Sequence, residues 1–141
     1  MCLFIFPTTA TAYSWEDINC LAENAFYEAR GEGVKGMRAV IDVTLNRVES
    51  SRYPNSICKV VYQKMQFSWT HQTKQKVSKE EKDYEYVQAL HLATGMLLGH
   101  GRGVTNGSLW YHEKTISPRW SKSSQMRVVK KIKSHIFYAA N

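Results

Sequence analysis

This sequence lacks several features that would assign it to a class at once. Its three cysteines form no C-x-x-C pair, which excludes a zinc ribbon or a dithiol redox motif. Its apolar residues are scattered, so no run predicts a helix that crosses a bilayer. With 43% hydrophobic and 22% charged residues in a chain of 141, the composition indicates one globular domain, rich in aromatic residues. Cys20 and Cys58 either pair, if the protein matures outside the cytosol, or remain buried thiols.

Acidic residues are scarce in the C-terminal part of the chain. The whole sequence carries 19 Lys and Arg against 12 Asp and Glu, a net charge of +7. From Val87 to Asn141, Glu113 is the one acid against eight Lys and Arg, whereas residues 1–70 hold seven of each. A basic excess predicts a polyanionic partner such as nucleic acid, anionic lipid or bacterial cell wall. A solvated basic helix at the end of the chain explains the same charge equally well.

The N-terminus has some features of an export signal and lacks others. Leu3 to Phe6 is apolar and residues 10–12 have the small-x-small pattern of a signal-peptidase site, but no Lys or Arg precedes Arg30. The positively charged region of a signal peptide is therefore missing. We expect residues 1–13 to be an N-terminal arm or a remnant export signal, and residues 14–141 to form the folded domain.

Apolar periodicity predicts a mainly helical fold. Ser14 and Asp17 match a capping box at the start of the first helix, and Gly31 and Gly33 end its pattern. We expect a mainly α, α+β single domain of about five to six helices, with a small β-hairpin and long binding loops. The predicted elements are helices over 14–30, 34–48, 57–64 and 79–98, a loop over 65–77 and a strand over 108–112. Residues 123–138 are predicted to form a basic amphipathic helix, or a helix plus an extension.

Glu28 is the first candidate for chemistry. It lies in the last turn of the first predicted helix, where Phe26 and Tyr27 partly exclude water. Desolvation raises the pKa of a carboxyl group toward the value that a general acid needs at neutral pH. An ordinary surface glutamate, or one paired with Arg30, fits the same residues.

A longer series of motifs resembles one known family. In chain order they are Glu28-Ala29-Arg30-Gly31-Glu32, Leu45-Asn46-Arg47-Val48, Gln66-Phe67-Ser68-Trp69, Trp110-Tyr111-His112, Ser117-Pro118-Arg119-Trp120 and His135-Ile136-Phe137-Tyr138. In combination they resemble the cell-wall hydrolase family of spore cortex-lytic enzymes and related phage endolysins. The resemblance extends over nearly everything from Asn19 to Tyr138.

The resemblance implies a lysozyme-like catalytic domain. Such a domain cuts the glycan strand of peptidoglycan between N-acetylmuramic acid and N-acetylglucosamine, and the family's catalytic acid corresponds to Glu28. Family members are generally regarded as lytic transglycosylases, in which the substrate's own C6 hydroxyl attacks and a 1,6-anhydro product forms. One glutamate then suffices as acid and base. Hydrolysis by a muramidase is the alternative.

Two nearby residues are candidates for the second carboxylate that a hydrolase usually supplies. These are Glu32 and Asp42. We favour Glu32 as a supporting group paired with Arg47 or Arg38, and its direct role in catalysis is the less favoured alternative. Arg47 is accordingly predicted as a second supporting residue.

Aromatic and polar residues in the predicted loop and strand suit sugar recognition. Rings stack on apolar pyranose faces, while amide and hydroxyl groups bond to N-acetyl and hydroxyl groups. Alternatively, these residues are structural: Phe67 and Trp69 anchor the loop in the core, His112 is a hydrogen-bonded structural histidine, and Trp120 is a core anchor. His135 and Tyr138 then only fasten the C-terminus. The predicted substrate-binding residues are Gln66, Phe67, Ser68, Trp69, Tyr111, His112 and Trp120.

The remaining signals concern cofactors and partners. The five histidines have no metal-ligand spacing, and the glycines at 99–103 follow a helix and lack a phosphate-loop ending, so no metal or cofactor is predicted. We expect a monomer that acts on peptidoglycan glycan strands and meets anionic cell-envelope polymers through its basic C-terminal region. It would act in the periplasm or cell wall, after a stay in the host cytoplasm if it is a phage endolysin. No nucleic acid is expected, although a small basic nucleic-acid-binding module is the rival from another class.

Overall fold

A computed structural model of the chain describes residues 13–63, 66–70 and 79–141. Residues 1–12 of the predicted arm, and residues 65 and 71–77 of the predicted loop, lie outside the described residues. The helices are α1 (Trp15–Ala29), α2 (Gly33–Glu49), α3 (Ile57–Val61) and α4 (Lys79–Leu97), with 3₁₀ turns at Arg30–Glu32, Ser68–Thr70 and Arg119–Lys122. The strands are β1 (Trp110–Glu113), β2 (Met126–Ile132) and β3 (His135–Ala140).

Helix α1 begins at the predicted capping box. The Asp17 amide donates to Ser14 Oγ and the Ser14 amide donates to Asp17 Oδ2, both at 3.1 Å. At the other end, one 3₁₀ turn joins α1 to α2, and Gly33 has a φ of 66°, which glycine adopts at no steric cost. The turn leaves Glu28 at the end of α1, four residues before the 3₁₀ turn ends at Glu32.

The helices enclose one apolar core. Helix α1 packs against α2, α3 and α4, and its residues Leu21 and Phe26 are fully buried beside Val40 and Ile41 of α2. A disulfide joins Cys20 of α1 to Cys58 of α3. Of the two alternatives for these cysteines, the structure has the pair.

The three strands form one antiparallel sheet in the order β1-β3-β2. Phe137 of the central strand packs on Ala39 and Val43 of α2, so the sheet lies against that helix. Strands β1 and β2 are the two edges of the sheet. The predicted fold class, mainly helical α+β, is confirmed, with three strands where the sequence predicts a hairpin.

The basic C-terminal segment is a β-hairpin, so the helix predicted over 123–138 is wrong. A bulge at Val129 shifts the register between β2 and β3. Because of the bulge, the half-buried residues of β2 recur at every third position, at Met126, Val129 and Ile132. This spacing resembles one face of a helix, whereas the β-branched side chains favour a strand. No helix in the described part of the chain is long and apolar enough to cross a bilayer.

Candidate active site

A cleft of about 660 Å³ opens at the C-terminal end of α1, beside β1. It brings together all the predicted site residues except Glu32 and Trp69. Its lining is Tyr27, Glu28, Arg47, Gln66, Phe67, Ser68, Tyr111, His112, Glu113, Ile116, Pro118, Trp120 and His135.

Glu28 is a partly buried carboxyl group in this cleft. Its Oε2 accepts a hydrogen bond of 2.9 Å from the Tyr111 hydroxyl. Burial raises the pKa of Glu28 above its usual value, while the Tyr111 hydrogen bond and the nearby His135 and Arg47 oppose that rise. Glu28 therefore keeps its proton to a higher pH than a solvated glutamate does, as a proton donor requires.

Tyr111 fixes the orientation of that carboxyl group. Its ring packs edge-on against His135, with 5.1 Å between ring centroids, and tilted against Phe137 at 5.4 Å. Burial, with the charge of Glu28, raises the pKa of Tyr111 well above its usual value. The hydroxyl thus stays protonated and donates to Glu28.

Glu32 lies outside the cleft lining and pairs with the β2–β3 turn. Its Oε2 is 2.8 Å from His135 Nδ1, and its Oε1 accepts from the Ser134 amide at 3.1 Å. The predicted pairing of Glu32 with Arg47 or Arg38 is therefore wrong, because the hairpin turn occupies the space around the carboxylate. His135 was expected only to fasten the C-terminus, yet its ring lines the cleft. No local pattern signals this, since residues 32 and 135 meet only in the fold.

Arg47 brings a positive charge to the cleft. Its Nε donates to the Leu109 carbonyl at 2.8 Å, and its guanidinium lies 5.1 Å from the Tyr53 ring centroid and 5.3 Å from that of Phe67. Its Nη1 is buried without a hydrogen-bond partner among the described residues. A fixed guanidinium with a free donor suits a polar ligand group.

The segment Gln66–Thr70 divides between the cleft and the core. Gln66 and Ser68 line the cleft, and Phe67 lines it from a buried position. Trp69 is turned away, because its Nε1 donates to Asn24 Oδ1 at 2.9 Å and its ring stacks on Tyr27 at 4.8 Å. The structure thus uses Trp69 as a core anchor and does not bring its ring to the cleft.

His112 and Trp120 belong to an aromatic group on the outer face of the sheet. His112 Nε2 lies 2.8 Å from the Tyr138 hydroxyl, and its Nδ1 lies 2.8 Å from the Glu113 carbonyl oxygen. Trp120 packs edge-on against His112 and Tyr138 and remains 36% exposed. Of the two alternatives for Trp120, the structure matches the cleft wall.

Of two other carboxylates, Glu113 lies in the cleft and Asp42 lies outside it. Glu113 is exposed and lines the cleft, and sequence reasoning missed it although it directly follows the Tyr111-His112 pair. Asp42, a candidate second carboxylate, is fully buried and bonds to Arg102 and Thr105, so it is not part of the cleft. Within the described ranges, no group of His, Cys, Asp or Glu could hold a metal ion.

Comparisons with known proteins agree with this architecture. A family profile described as Cell Wall Hydrolase matches residues 31–138. Spore cortex-lytic enzymes of Bacillus subtilis and Bacillus cereus are 39% identical over 56 residues. That segment is 40% of this chain and only 18% and 22% of those relatives, so the chain spans a minor part of their length.

Two solved structures share the fold. The catalytic domain of the germination-specific lytic transglycosylase SleB from Bacillus anthracis is 27% identical, with a TM-score of 0.71, over 90% of this chain and 97% of that one. The catalytic domain of the Bacillus cereus SleB protein is 28% identical, with a TM-score of 0.64, over 90% of this chain and 92% of that one.

Proposed function

Because this chain belongs to the cell wall hydrolase family, we propose that it cleaves the glycan strands of peptidoglycan with Glu28 as its catalytic acid. The bond proposed is the β-1,4 link between N-acetylmuramic acid and N-acetylglucosamine. The observation that carries the proposal is the partly buried Glu28 carboxyl group, held by the Tyr111 hydroxyl at 2.9 Å in the cleft. The shared fold with a lytic transglycosylase domain supports the reaction class.

In the first step, Glu28 protonates the glycosidic oxygen as the bond from that oxygen to C1 of muramic acid breaks. The departing N-acetylglucosamine keeps the proton as its 4-hydroxyl group, and positive charge develops at C1 and the ring oxygen. Glu28 is left as a carboxylate, which the Tyr111 hydrogen bond and the nearby Arg47 stabilise. The same contacts that oppose the raised pKa of Glu28 thus assist the loss of its proton.

In the second step, the C6 hydroxyl group of the same muramic acid attacks C1. Its proton passes to the Glu28 carboxylate, which restores the acid, and the product is a 1,6-anhydro sugar. This route needs one carboxyl group. It is favoured because Glu28 is the one partly buried carboxyl group in the described lining of the cleft.

Hydrolysis is the second candidate, and Glu113 is the observation that keeps it. A muramidase needs a carboxylate to activate water or to stabilise the charged sugar, and Glu113 lines the same cleft. If hydrolysis operates, Glu113→Gln removes most of the activity. Under transglycosylation, this exposed residue is replaced at little cost.

The sugar would lie along the aromatic and polar lining. Trp120 offers a partly exposed ring for a pyranose face, and Gln66 and Ser68 offer groups for N-acetyl and hydroxyl contacts. Glu32 would support the site indirectly, by holding the His135 ring in its position in the cleft.

We propose that the enzyme works in the cell envelope, as a bacterial wall enzyme or a phage endolysin, where its basic C-terminal half meets anionic polymers.

The first test is Glu28→Gln, which keeps the shape and removes the proton donor. We expect clearing of purified cell walls to fall about 10²- to 10⁴-fold, with an unchanged circular dichroism spectrum. Glu16→Gln is the matched control, because Glu16 is exposed at the opposite end of the same helix. Full activity of Glu28→Gln would overturn the assignment of the acid.

Mass spectrometry of the wall digest distinguishes the two reactions. Transglycosylation yields muropeptides that end in 1,6-anhydromuramic acid. Hydrolysis adds one water molecule for each bond that is cut. Its products end in reducing muramic acid and are heavier than the anhydro products by the mass of that water. Products that end only in reducing muramic acid would favour the muramidase.

A further inference from the structure

A second cavity, of about 590 Å³, lies between the first turns of α2 and the β2–β3 hairpin. Five of its seven lining residues are cations, and no acid lines it. We call this cavity the basic groove. Its cations are Lys35, Arg38, Lys130, Lys131 and Lys133. Two of them come from the half of the sequence that is neutral by count, so the groove forms only through the fold.

None of the groove cations forms an ion pair with another residue that the structure describes. In the described part of the structure, the ion pairs are those of Arg102 and His135, and none involves the groove. The Nε of Arg38 is buried and has no hydrogen-bond acceptor in residues 13–63, 66–70 or 79–141. The backbone at Gly101 lies against it, so that a Cβ there would be 3.2 Å from that nitrogen. Five cations around one cavity attract an anion, and an anion that reached the buried Arg38 Nε would supply the acceptor that this donor lacks.

The groove and the cleft lie on opposite edges of the same sheet. Residues of β1 line the cleft and residues of β2 line the groove, and β3 lies between these two strands in the sheet. At the hairpin end, Ile132 in the groove is the register partner of His135 in the cleft. Two strand spacings separate the edges by about 10 Å. Three or four extended peptide residues span about 10 to 14 Å.

We propose that the basic groove binds the free carboxylates of the short peptides that branch from muramic acid. This inference rests on the proposed function, because it takes the ligand to be the same polymer that lies in the cleft. A guanidinium and several ammonium groups match carboxylates in charge and geometry. The 10 Å offset lets a peptide on a sugar in the cleft reach the groove across the end of the sheet.

The test measures binding in the inactive Glu28→Gln background, so that the wall stays intact. The groove variant carries Lys35→Gln, Lys130→Gln and Lys131→Gln. The control variant carries Lys59→Gln, Lys122→Gln and Arg127→Gln, which remove the same charge at exposed positions outside the groove. Arg38→Lys is a single variant that keeps the charge and loses the guanidinium fork.

Co-sedimentation uses walls treated with hydrofluoric acid, which removes phosphodiester polymers and leaves the peptides. We expect the groove variant to bind about tenfold more weakly than its parent, and the control variant less than twofold more weakly. Arg38→Lys should lie between them. On walls whose peptide carboxylates have been converted to amides, and on glycan strands stripped of peptides, all the proteins should bind alike.

Equal losses in the groove and control variants would overturn the proposal, because net charge alone would then explain binding. So would a loss that persists on amidated walls. A loss that appears only on untreated walls, or with double-stranded DNA as the probe, would assign the groove to phosphodiester polymers instead. Cleavage is scored separately with Glu28 present: carboxylate-dependent binding without cleavage would refute the proposed function and leave the groove assignment intact.

Discussion

At the scale of single residues, Glu28 shows how a carboxyl group is kept protonated without being isolated. Burial raises its pKa, while Tyr111, His135 and Arg47 oppose the rise. Complete isolation would hold the proton too tightly to transfer it. With these contacts, Glu28 still holds its proton to a higher pH than a solvated glutamate does. Once Glu28 has lost the proton, the same contacts stabilise its carboxylate.

The first prediction concerns Tyr111→Phe. The hydroxyl lowers the pKa of Glu28, so its removal raises that pKa, and the decline of activity on the alkaline side moves to higher pH. We also expect the clearing rate at the optimum to fall about tenfold, because the carboxyl group loses its orientation. This is less than the loss of about 10²- to 10⁴-fold that removal of the general acid itself would cause. The measurement is the rate of wall clearing from pH 4 to 9.

Tyr13→Phe is the control for that profile, because Tyr13 is half exposed and lies before α1. Its pH profile should coincide with that of the parent. A shift of the Tyr111→Phe profile to lower pH would contradict the role given to the hydroxyl. An unchanged profile would show that Glu28 does not set the alkaline limb.

At the scale of elements, a buried carboxylate fastens the glycine-rich segment between α4 and β1 to α2. Asp42 accepts hydrogen bonds from Arg102 Nε at 3.0 Å, from the Gly103 amide at 2.9 Å, and from the amide and hydroxyl of Thr105 at 3.0 and 2.6 Å. Strand β1 follows this segment, so the fastening also helps to set the position of Tyr111. A short buried network on one element thus supports a site residue on another.

Asp42→Asn is predicted to lower the free energy of unfolding by about 3 kcal/mol, because it removes the charge of a buried carboxylate that pairs with a partly exposed arginine, and one of its two acceptor oxygens. Burial raises the pKa of Asp42, but the bonds from Thr105, Gly103 and Arg102 outweigh it and hold the pKa below its usual value. The carboxylate therefore contributes stability above the unfolded pKa, and this is lost as pH falls through the folded pKa. Urea unfolding at pH 7 and at pH 3 checks both statements.

The matched control is Glu49→Gln, at the exposed end of the same Arg102 network. An exposed ion pair contributes less than about 1 kcal/mol, so this variant should unfold almost as the parent does. If Asp42→Asn were equally mild at pH 7, the segment would be held by its packing alone.

At the scale of the whole molecule, one covalent link supports a small core. The Cys20–Cys58 disulfide joins α1 to α3 across 38 residues of chain. In the chain-entropy account, closing a loop of that length stabilises the folded state by about 4 kcal/mol at 25 °C. The bond therefore matters to the whole domain, because α1 carries both Cys20 and Glu28.

We predict that the double variant Cys20→Ser/Cys58→Ser unfolds at a lower urea concentration than the parent. Its free energy of unfolding should be lower by about 3 to 4 kcal/mol. Dithiothreitol should lower the stability of the parent to that of the double variant and leave the variant unchanged. Urea unfolding with and without dithiothreitol measures both effects. A reductant effect of equal size in the two proteins would contradict the assignment.

The local elements could be predicted from the sequence because local physics decides them. The capping box at Ser14, the periodicity of α1 and α2, and the strand at Trp110 all follow from neighbouring residues. The position of Glu28 at a helix end beside a glycine turn follows in the same way. The C-terminal hairpin did not, because the bulge at Val129 gives the strand a spacing of three, which is also helical.

Only the tertiary structure decided which distant residues meet. Glu32 pairs with His135, 103 positions away, and Tyr111 reaches Glu28 across 83. The excess of basic residues likewise depends partly on the sequence and partly on the fold. The sequence determined its amount and its place after residue 86, but the fold set Lys130 and Lys131 beside Lys35 and Arg38. Pairings between elements depend on how packed faces align, and no spacing along the chain encodes that alignment.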